Sequence, residues 1–117
     1  MVMTGIHHVS INVDDVDAAL HFYTEVLELE NLERPDLGFP GAWLRAGNQE
    51  VHLLGIQDGK PPKQQHFAFL VDDLDAVRER LQGFDTKVSE PREIDGVCRQ
   101  SFTHDPSDNM IEFNQRL

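Results

Sequence analysis

The chain has 117 residues, 39% of them apolar, which suffices for one domain with a real core and not for several. Asp and Glu total 21 against 10 Lys and Arg, a formal net charge of -11, so a nucleic-acid duplex or an anionic membrane surface is repelled. No apolar run approaches the roughly 20 residues of a membrane helix, Met1-Val2-Met3-Thr4 lacks the basic flank of a signal peptide, and the lone Cys98 excludes an internal disulfide and a multi-cysteine zinc site. The expectation is one cytoplasmic domain over residues 1–117, with no nucleic-acid or membrane partner, whose metal, if it holds one, uses nitrogen and oxygen ligands.

From residue 6 to 13 apolar and polar positions alternate, with Val9, Ile11 and Val13 on one side and His8, Ser10 and Asn12 on the other, the pattern of a half-buried strand. Asp14 or Asp15 can cap the helix that follows, in which Val16, Ala19, Leu20, Tyr23 and Leu27 recur at helical spacing up to an end near Glu28. A less regular stretch through Arg34-Pro35 and Phe39-Pro40-Gly41 leads to strands over 42–46 and 50–54, joined by a tight hairpin at Gly47-Asn48. Residues 57–64, with Gly59, Pro61 and Pro62, read as a linker. Beyond it come a strand from His66, a helix marked by Leu74, Val77 and Leu81 with Gly83 near its end, and strands over 97–104 and 110–114 that flank the turn Asp105-Pro106-Ser107-Asp108-Asn109. Each half is β-α-β-β, with room for a further strand in the irregular stretch.

The halves, 5–56 and 65–115, are copies of one unit. The stretch His8-Val9-Ser10-Ile11-Asn12-Val13-Asp14-Asp15-Val16-Asp17-Ala18 lies without a gap over His66-Phe67-Ala68-Phe69-Leu70-Val71-Asp72-Asp73-Leu74-Asp75-Ala76. His8 and His66 therefore occupy one position of the repeat, and a pseudo-two-fold axis would relate them. The last strands correspond as well, Glu50-Val51-His52-Leu53-Leu54 with Met110-Ile111-Glu112-Phe113-Asn114, so that His52 stands opposite Glu112. A lone histidine on a half-buried strand is usually hydrogen-bonded structure. Four imidazole or carboxylate groups at two pairs of equivalent positions instead suggest one shared partner, since each is costly to desolvate alone. One divalent ion (Zn, Ni, Mn, Fe(II) or Co) held by His8, His52, His66 and Glu112 satisfies all four and, if six-coordinate, keeps two positions open. His7, turned away from the face of His8, and His21, on the helix, read as structural or solvated, and His104 as surface. Cys98 reads as a small strand residue.

At these residues the chain resembles the vicinal oxygen chelate superfamily, which includes glyoxalase I, bleomycin-resistance proteins, fosfomycin-resistance enzymes and extradiol dioxygenases. The resemblance spans nearly the whole chain. It is carried by Ile6-His7-His8-Val9 before Val13-Asp14-Asp15, by Phe22-Tyr23-Thr24-Glu25-Val26-Leu27-Glu28-Leu29, by Glu50-Val51-His52-Leu53-Leu54, by His66-Phe67-Ala68-Phe69, and by Asp105-Pro106-Ser107-Asp108-Asn109-Met110-Ile111-Glu112-Phe113. It implies an α+β fold of two paired βαβββ modules forming a cupped, barrel-like mixed sheet. It also implies a homodimer and a metal bound by His8, His52, His66 and Glu112. Departures narrow the function. Glyoxalase I usually has glutamate where this chain has His52, and its glutathione-contacting arginine is missing from Ser10-Ile11-Asn12-Val13. Fosfomycin enzymes place a tyrosine where Phe102 stands, and the family's Asp-Pro-Asp-Gly-Asn turn is here Asp-Pro-Ser-Asp-Asn.

Strand pairing suggests what surrounds the ion. A two-residue turn at Gly47-Asn48 sets Trp43 opposite His52 and Arg45 opposite Glu50, with which Arg45 is expected to pair, and a five-residue loop at 105–109 sets Phe102 opposite Glu112. Trp43, Phe102 and Ser10 are thus the expected substrate contacts, and Glu112 the catalytic group that takes a proton. The reading is a lyase or isomerase whose small substrate chelates the metal through adjacent oxygens. The alternatives are an extradiol-type dioxygenase and a non-catalytic, drug-sequestering protein of the bleomycin-resistance type.

Overall fold

A computed structural model describes residues 2–56 and 58–117; Gln57, the first residue of the predicted linker, lies outside the described residues, as does Met1. The backbone divides into two compact units, Met1–Lys60 and Pro61–Leu117. In the first, β1 (His8–Asn12), α1 (Val16–His21), a π-helical turn (Phe22–Val26), β2 (Glu30–Leu32), β3 (Gly41–Ala46) and β4 (Gln49–Leu54) follow in order. The second runs β5 (His66–Leu70), α2 (Leu74–Gly83), β6 (Arg92–Ile94), β7 (Cys98–His104) and β8 (Met110–Arg116). Each unit is a βαβββ module with a four-stranded mixed sheet, ordered β1-β4-β3-β2 in one and β5-β8-β7-β6 in the other. The outer strand that opens each module runs parallel to the last strand, and the remaining pairs are antiparallel.

The two Asp-Asp pairs do the same work in both units. The second aspartate of each, Asp15 and Asp73, is the N-cap: Ala18 N donates to Asp15 Oδ1 at 3.0 Å and Ala76 N to Asp73 Oδ1 at 3.1 Å, satisfying one exposed first-turn amide in each helix. The first helix departs from a regular α-helix halfway along. Thr24 Oγ1 donates to the Leu20 carbonyl at 2.7 Å, and Leu27 N reaches back five residues to the Phe22 carbonyl at 3.0 Å, which widens the last turn into a π-helix. Glu28 then takes a positive φ of 64° and ends the helix where its apolar spacing stops.

β2 and β6 are the strands that apolar alternation did not reveal. Each has three residues, lies at a sheet edge and is mostly exposed, so neither carries a buried face for the sequence to mark. The two hairpins follow their expected registers. Gly47, at φ 63°, closes β3 onto β4 with Trp43 opposite His52. In the second, Asp105 Oδ1 accepts from Ser107 N and Asn109 N, both at 2.9 Å, while Asn109 Nδ2 donates to Asp105 Oδ2 at 3.0 Å. That ring of bonds fixes the loop and places Phe102 opposite Glu112; Asp108 adopts the left-handed conformation at φ 70° where the family's turn has glycine.

One face of each sheet packs on its helix. In the first unit Leu44, Val51 and Leu53 join Ala19, Tyr23 and Val26 in the core, all fully or almost fully buried. In the second, Ile111 and Phe113 are buried with Leu74 and Leu81 of α2, and the polar Ser101 and Thr103 of β7 are buried too. Thr103 Oγ1 donates to the Lys87 carbonyl at 2.6 Å, whereas the Ser101 hydroxyl is buried with no hydrogen-bond partner among the described residues. The difference predicts opposite outcomes in urea denaturation. Ser101→Ala is expected to leave stability unchanged or raise it by up to ~1 kcal/mol, because it removes an unpaired buried hydroxyl, while Thr103→Val loses about 1 kcal/mol by orphaning an acceptor. Leu81→Ala, which opens a cavity beneath α2, should cost ~2–5 kcal/mol; a loss for Ser101→Ala as large as for Thr103→Val would contradict this account.

Candidate functional site

The sheet face turned from the helix carries the polar residues. Alternation along β1 and β4 puts His8 and Ser10 on the same side as Glu50 and His52, and the register sets His8 beside Glu50 and Ser10 beside His52. His52 is 8% exposed on an inner strand, so its ring must find partners within the sheet. It lies between two rings: Trp43 stacks on it with centroids 4.7 Å apart and planes 12° from parallel, and His8 stacks at 3.9 Å and 15°. Glu50 Oε1 lies 2.8 Å from His52 Nε2, and His7 Nδ1 is 2.8 Å from His8 Nδ1.

The second unit repeats the arrangement with different chemistry. Glu112 is 7% exposed at the centre of β8. Asn114 Nδ2 donates to its Oε2 at 2.8 Å, and His66 Nε2 lies 3.0 Å from its Oε1. The Phe102 ring meets His66 edge-on at 5.6 Å. The other ring nitrogen of His66, Nδ1, is 2.8 Å from the Gln64 carbonyl, which can only accept; Nδ1 therefore carries a proton. His66 Nε2 and Glu112 Oε1 then face each other as two acceptors unless a second proton or a cation stands with them. Their 3.0 Å separation equals that between neighbouring ligands of a six-coordinate ion with bonds of about 2.1 Å. In donor chemistry and spacing this pair fits a divalent ion of the zinc-to-manganese class.

The six side chains expected from the repeat and from strand pairing are thus gathered as two clusters, His8, His52 and Trp43 in one unit and His66, Glu112 and Phe102 in the other. Ser10 lies exposed on the same face of β1 as His8. Among the described residues no group of three or more His, Cys, Asp or Glu side chains is drawn together as a metal site.

Two expectations need correction. His7 does not turn away from His8: it precedes β1, where strand alternation no longer dictates direction, and its ring packs edge-on against His8 at 5.1 Å. Arg45 stands opposite Glu50 in the register but its Nε pairs with Glu30 Oε2 at 3.0 Å, because β2 brings Glu30 opposite Arg45 on the other flank while Glu50 is engaged by His52. Reading by ligand type alone also passed over Glu50, Asn114 and the Gln64 carbonyl. The first two were accessible from period-two spacing, since Glu50 lies two residues before His52 and Asn114 two after Glu112 on the same faces.

The superfamily profile for glyoxalase, bleomycin resistance protein and dioxygenase matches residues 5–113. The chain belongs to this superfamily. Among its relatives in the glyoxalase superfamily, Glyoxylase I 4 of Arabidopsis thaliana is 31% identical over 94% of this chain and 70% of its own length. A glyoxalase family protein from Bacillus anthracis superposes with a TM-score of 0.91 at 27% identity, covering 100% of this chain and 98% of that one. TnmS3, an antibiotic binding protein from Streptomyces sp. CB03234, superposes with a TM-score of 0.85 at 25% identity, over 100% of this chain and 99% of that one.

Electrostatics push His8 toward its neutral form. Desolvation of the ring, then the neighbouring His52 and His7, hold its pKa below the ordinary 6.5, against a smaller opposing pull from Glu50. Glu50 itself is held below the usual carboxylate range, chiefly by its hydrogen bond with His52. For a histidine whose folded pKa is depressed, the associated stability is present above 6.5 and is lost as pH falls through the folded value. In the metal-free protein the His8 ring proton should therefore titrate, by NMR, below 6.5, and His52→Ala should move that midpoint upward. An unchanged or lower midpoint in the variant would show that His52 is not what holds it down.

Proposed function

We propose that the chain is a divalent-metal-dependent enzyme, of lyase or isomerase type, acting on a small organic substrate that presents two adjacent oxygens. The ion's ligands in this reading are His8, His52, His66 and Glu112. What carries it is the way each of the four has one polar atom engaged by an outer partner and a second that is not, those of His66 and Glu112 facing each other at 3.0 Å. His8 uses Nδ1 with His7, His52 uses Nε2 with Glu50, His66 uses Nδ1 with the Gln64 carbonyl, and Glu112 uses Oε2 with Asn114. Such outer partners fix ring orientation and tautomer in metal centres. The remaining atoms are His8 Nε2, His52 Nδ1, His66 Nε2 and Glu112 Oε1, three neutral nitrogens and one carboxylate oxygen, a set suited to Zn, Ni, Mn, Fe(II) or Co.

A bound divalent ion would supply Lewis-acid stabilisation of negative charge on the chelated substrate oxygens. The residues of the chain do the rest. Trp43 and Phe102, each opposite a ligand residue in its sheet, provide apolar surface that excludes water and orients the substrate. Glu112 is the group placed to move a proton: Asn114 holds Oε2, and Oε1, once loosened from the ion, would receive a proton from substrate carbon and return it. In this reading the two units act as one domain, the protein is a cytoplasmic homodimer, and the client is a small molecule. Among the described residues no helix is long and apolar enough to cross a membrane.

A second reading, a drug-sequestering protein without chemistry, is favoured by the likeness to an antibiotic binding protein and by the Trp43-His52-His8 stack, which offers a planar ring to a planar ligand. Elemental analysis of purified protein separates the two. The enzyme reading expects about one ion per chain, lost from His66→Ala and Glu112→Ala, and a ~10–100-fold weaker metal affinity in Glu50→Ala and Asn114→Ala as outer partners. If the wild type takes up none of Zn, Ni, Mn, Fe(II) or Co, the metal reading falls and the binding protein stands. An iron-loaded protein with oxygen-dependent turnover would select the dioxygenase form of the same site.

A further inference from the structure

The first unit contains a cation with no anion paired to it among the described residues. Arg34, in the segment between β2 and β3, has its Nε and Nη2 shut off from solvent and without a hydrogen-bond partner among the described residues. These two nitrogens form one edge of the guanidinium, the fork that receives both oxygens of a carboxylate or phosphoryl group. A buried, unpaired charge is costly, and structures keep one where something else compensates it. Inside this chain the guanidinium is held by packing alone: its carbon lies 4.9 Å from the Phe39 ring centroid, and a side chain on Gly41 would come within 3.0 Å of Nη2 and 3.1 Å of Cζ. A Cβ on Gly41 would meet the Leu53 carbonyl oxygen first, and its absence also leaves room for the guanidinium against β3.

The face matters as much as the missing partner. Gly41, Trp43 and Arg45 alternate onto one side of β3, and Trp43 is the ring that stacks on His52. Arg34 therefore lies against a residue only two positions, or about 7 Å of strand, from Trp43. The nearest acidic side chain in its own segment, Asp36, accepts from the Gly38 amide at 2.9 Å, a local turn contact.

We propose that Arg34 is the binding residue for an oxyanion group of the substrate, a carboxylate or a phosphoryl group, which takes the Nε–Nη2 edge. This names the substrate class for the site described above and rests on that reading only for the substrate; the anion contact itself is independent of metal. Because both nitrogens are closed to solvent, the anion enters as the segment 33–40 shifts. That segment has neither helix nor strand, and most of its residues are exposed. With a formal net charge of -11 the protein repels anions at long range, so saturable binding of one reports a local site rather than the general field.

The test uses full-length, metal-stripped protein titrated separately with inorganic phosphate and with lactate at constant ionic strength, following the Arg34 Nε–Hε resonance by NMR. A saturable shift of that resonance is expected with at least one probe, phosphate pointing to a phosphoryl substrate and lactate to a carboxylate. Arg34→Lys, which keeps charge but loses the fork, should bind at least ~10-fold more weakly, and Arg34→Met should lose saturable binding while its Tm stays at or above that of the wild type. No saturable shift with either probe, or equal affinity in Arg34→Met measured by calorimetry, overturns the proposal. Failure of the metal reading would show instead as no ion uptake with the Arg34 response intact.

Discussion

Each sheet places a polar, ionisable side chain at the centre of an inner strand, and the rest of the candidate site follows from compensating it. His52 in β4 has β1 and β3 on its flanks; Glu112 in β8 has β5 and β7. At 8% and 7% exposure neither can be solvated where it stands, so hydrogen-bond partners and rings must come from the neighbouring strands and from two residues along. Glu112 is met by Asn114 on its own strand and His66 from β5; His52 is met by Glu50 on its own strand and by rings from β1 and β3. The parallel pairing of the outer strand with the last strand is what makes this work, because it brings the repeated histidine of each unit alongside the buried residue.

The two units share a backbone plan and differ in what they put on the polar face. Caps, helix entry and strand order are common to both, since these depend on the Asp-Asp pair and on the apolar positions that the repeat retains. On the polar face Glu50 corresponds to Met110, His52 to Glu112 and Leu54 to Asn114. The carboxylate has thus moved from the outer partner in one unit to the central position in the other. The first unit holds a stack of aromatic rings beside a carboxylate, and the second a carboxylate with one histidine.

Arginine has two contrasting uses in the first unit. Arg45 is largely exposed and pairs with Glu30 at the sheet edge, where solvent screens the pair and it contributes little to stability. Arg34 is held against β3 with two nitrogens unsatisfied, in a chain whose acidic residues exceed its basic ones by 21 to 10. In so acidic a protein an arginine edge with no hydrogen-bond partner among the described residues is not explained by a shortage of acidic groups.

Much of this was legible from residue order. The repeat aligned His8 with His66 and His52 with Glu112, the turns at Gly47-Asn48 and 105–109 set the registers that oppose Trp43 to His52 and Phe102 to Glu112, and each Asp-Asp pair marked a helix start; these depend on periodicity and local hydrogen bonding, which the chain encodes within a few residues. Family resemblance supplied the fourth strand of each module, because three mostly exposed edge residues such as Glu30–Leu32 leave no apolar pattern. Only the tertiary structure turned His7 onto His8, gave Arg45 to Glu30, closed the last turn of the first helix as a π-turn and left Arg34 without a partner. Those outcomes depend on which side chains non-local strand pairing brings within about 3 Å, and the spacing of residues along the chain carries no record of that distance.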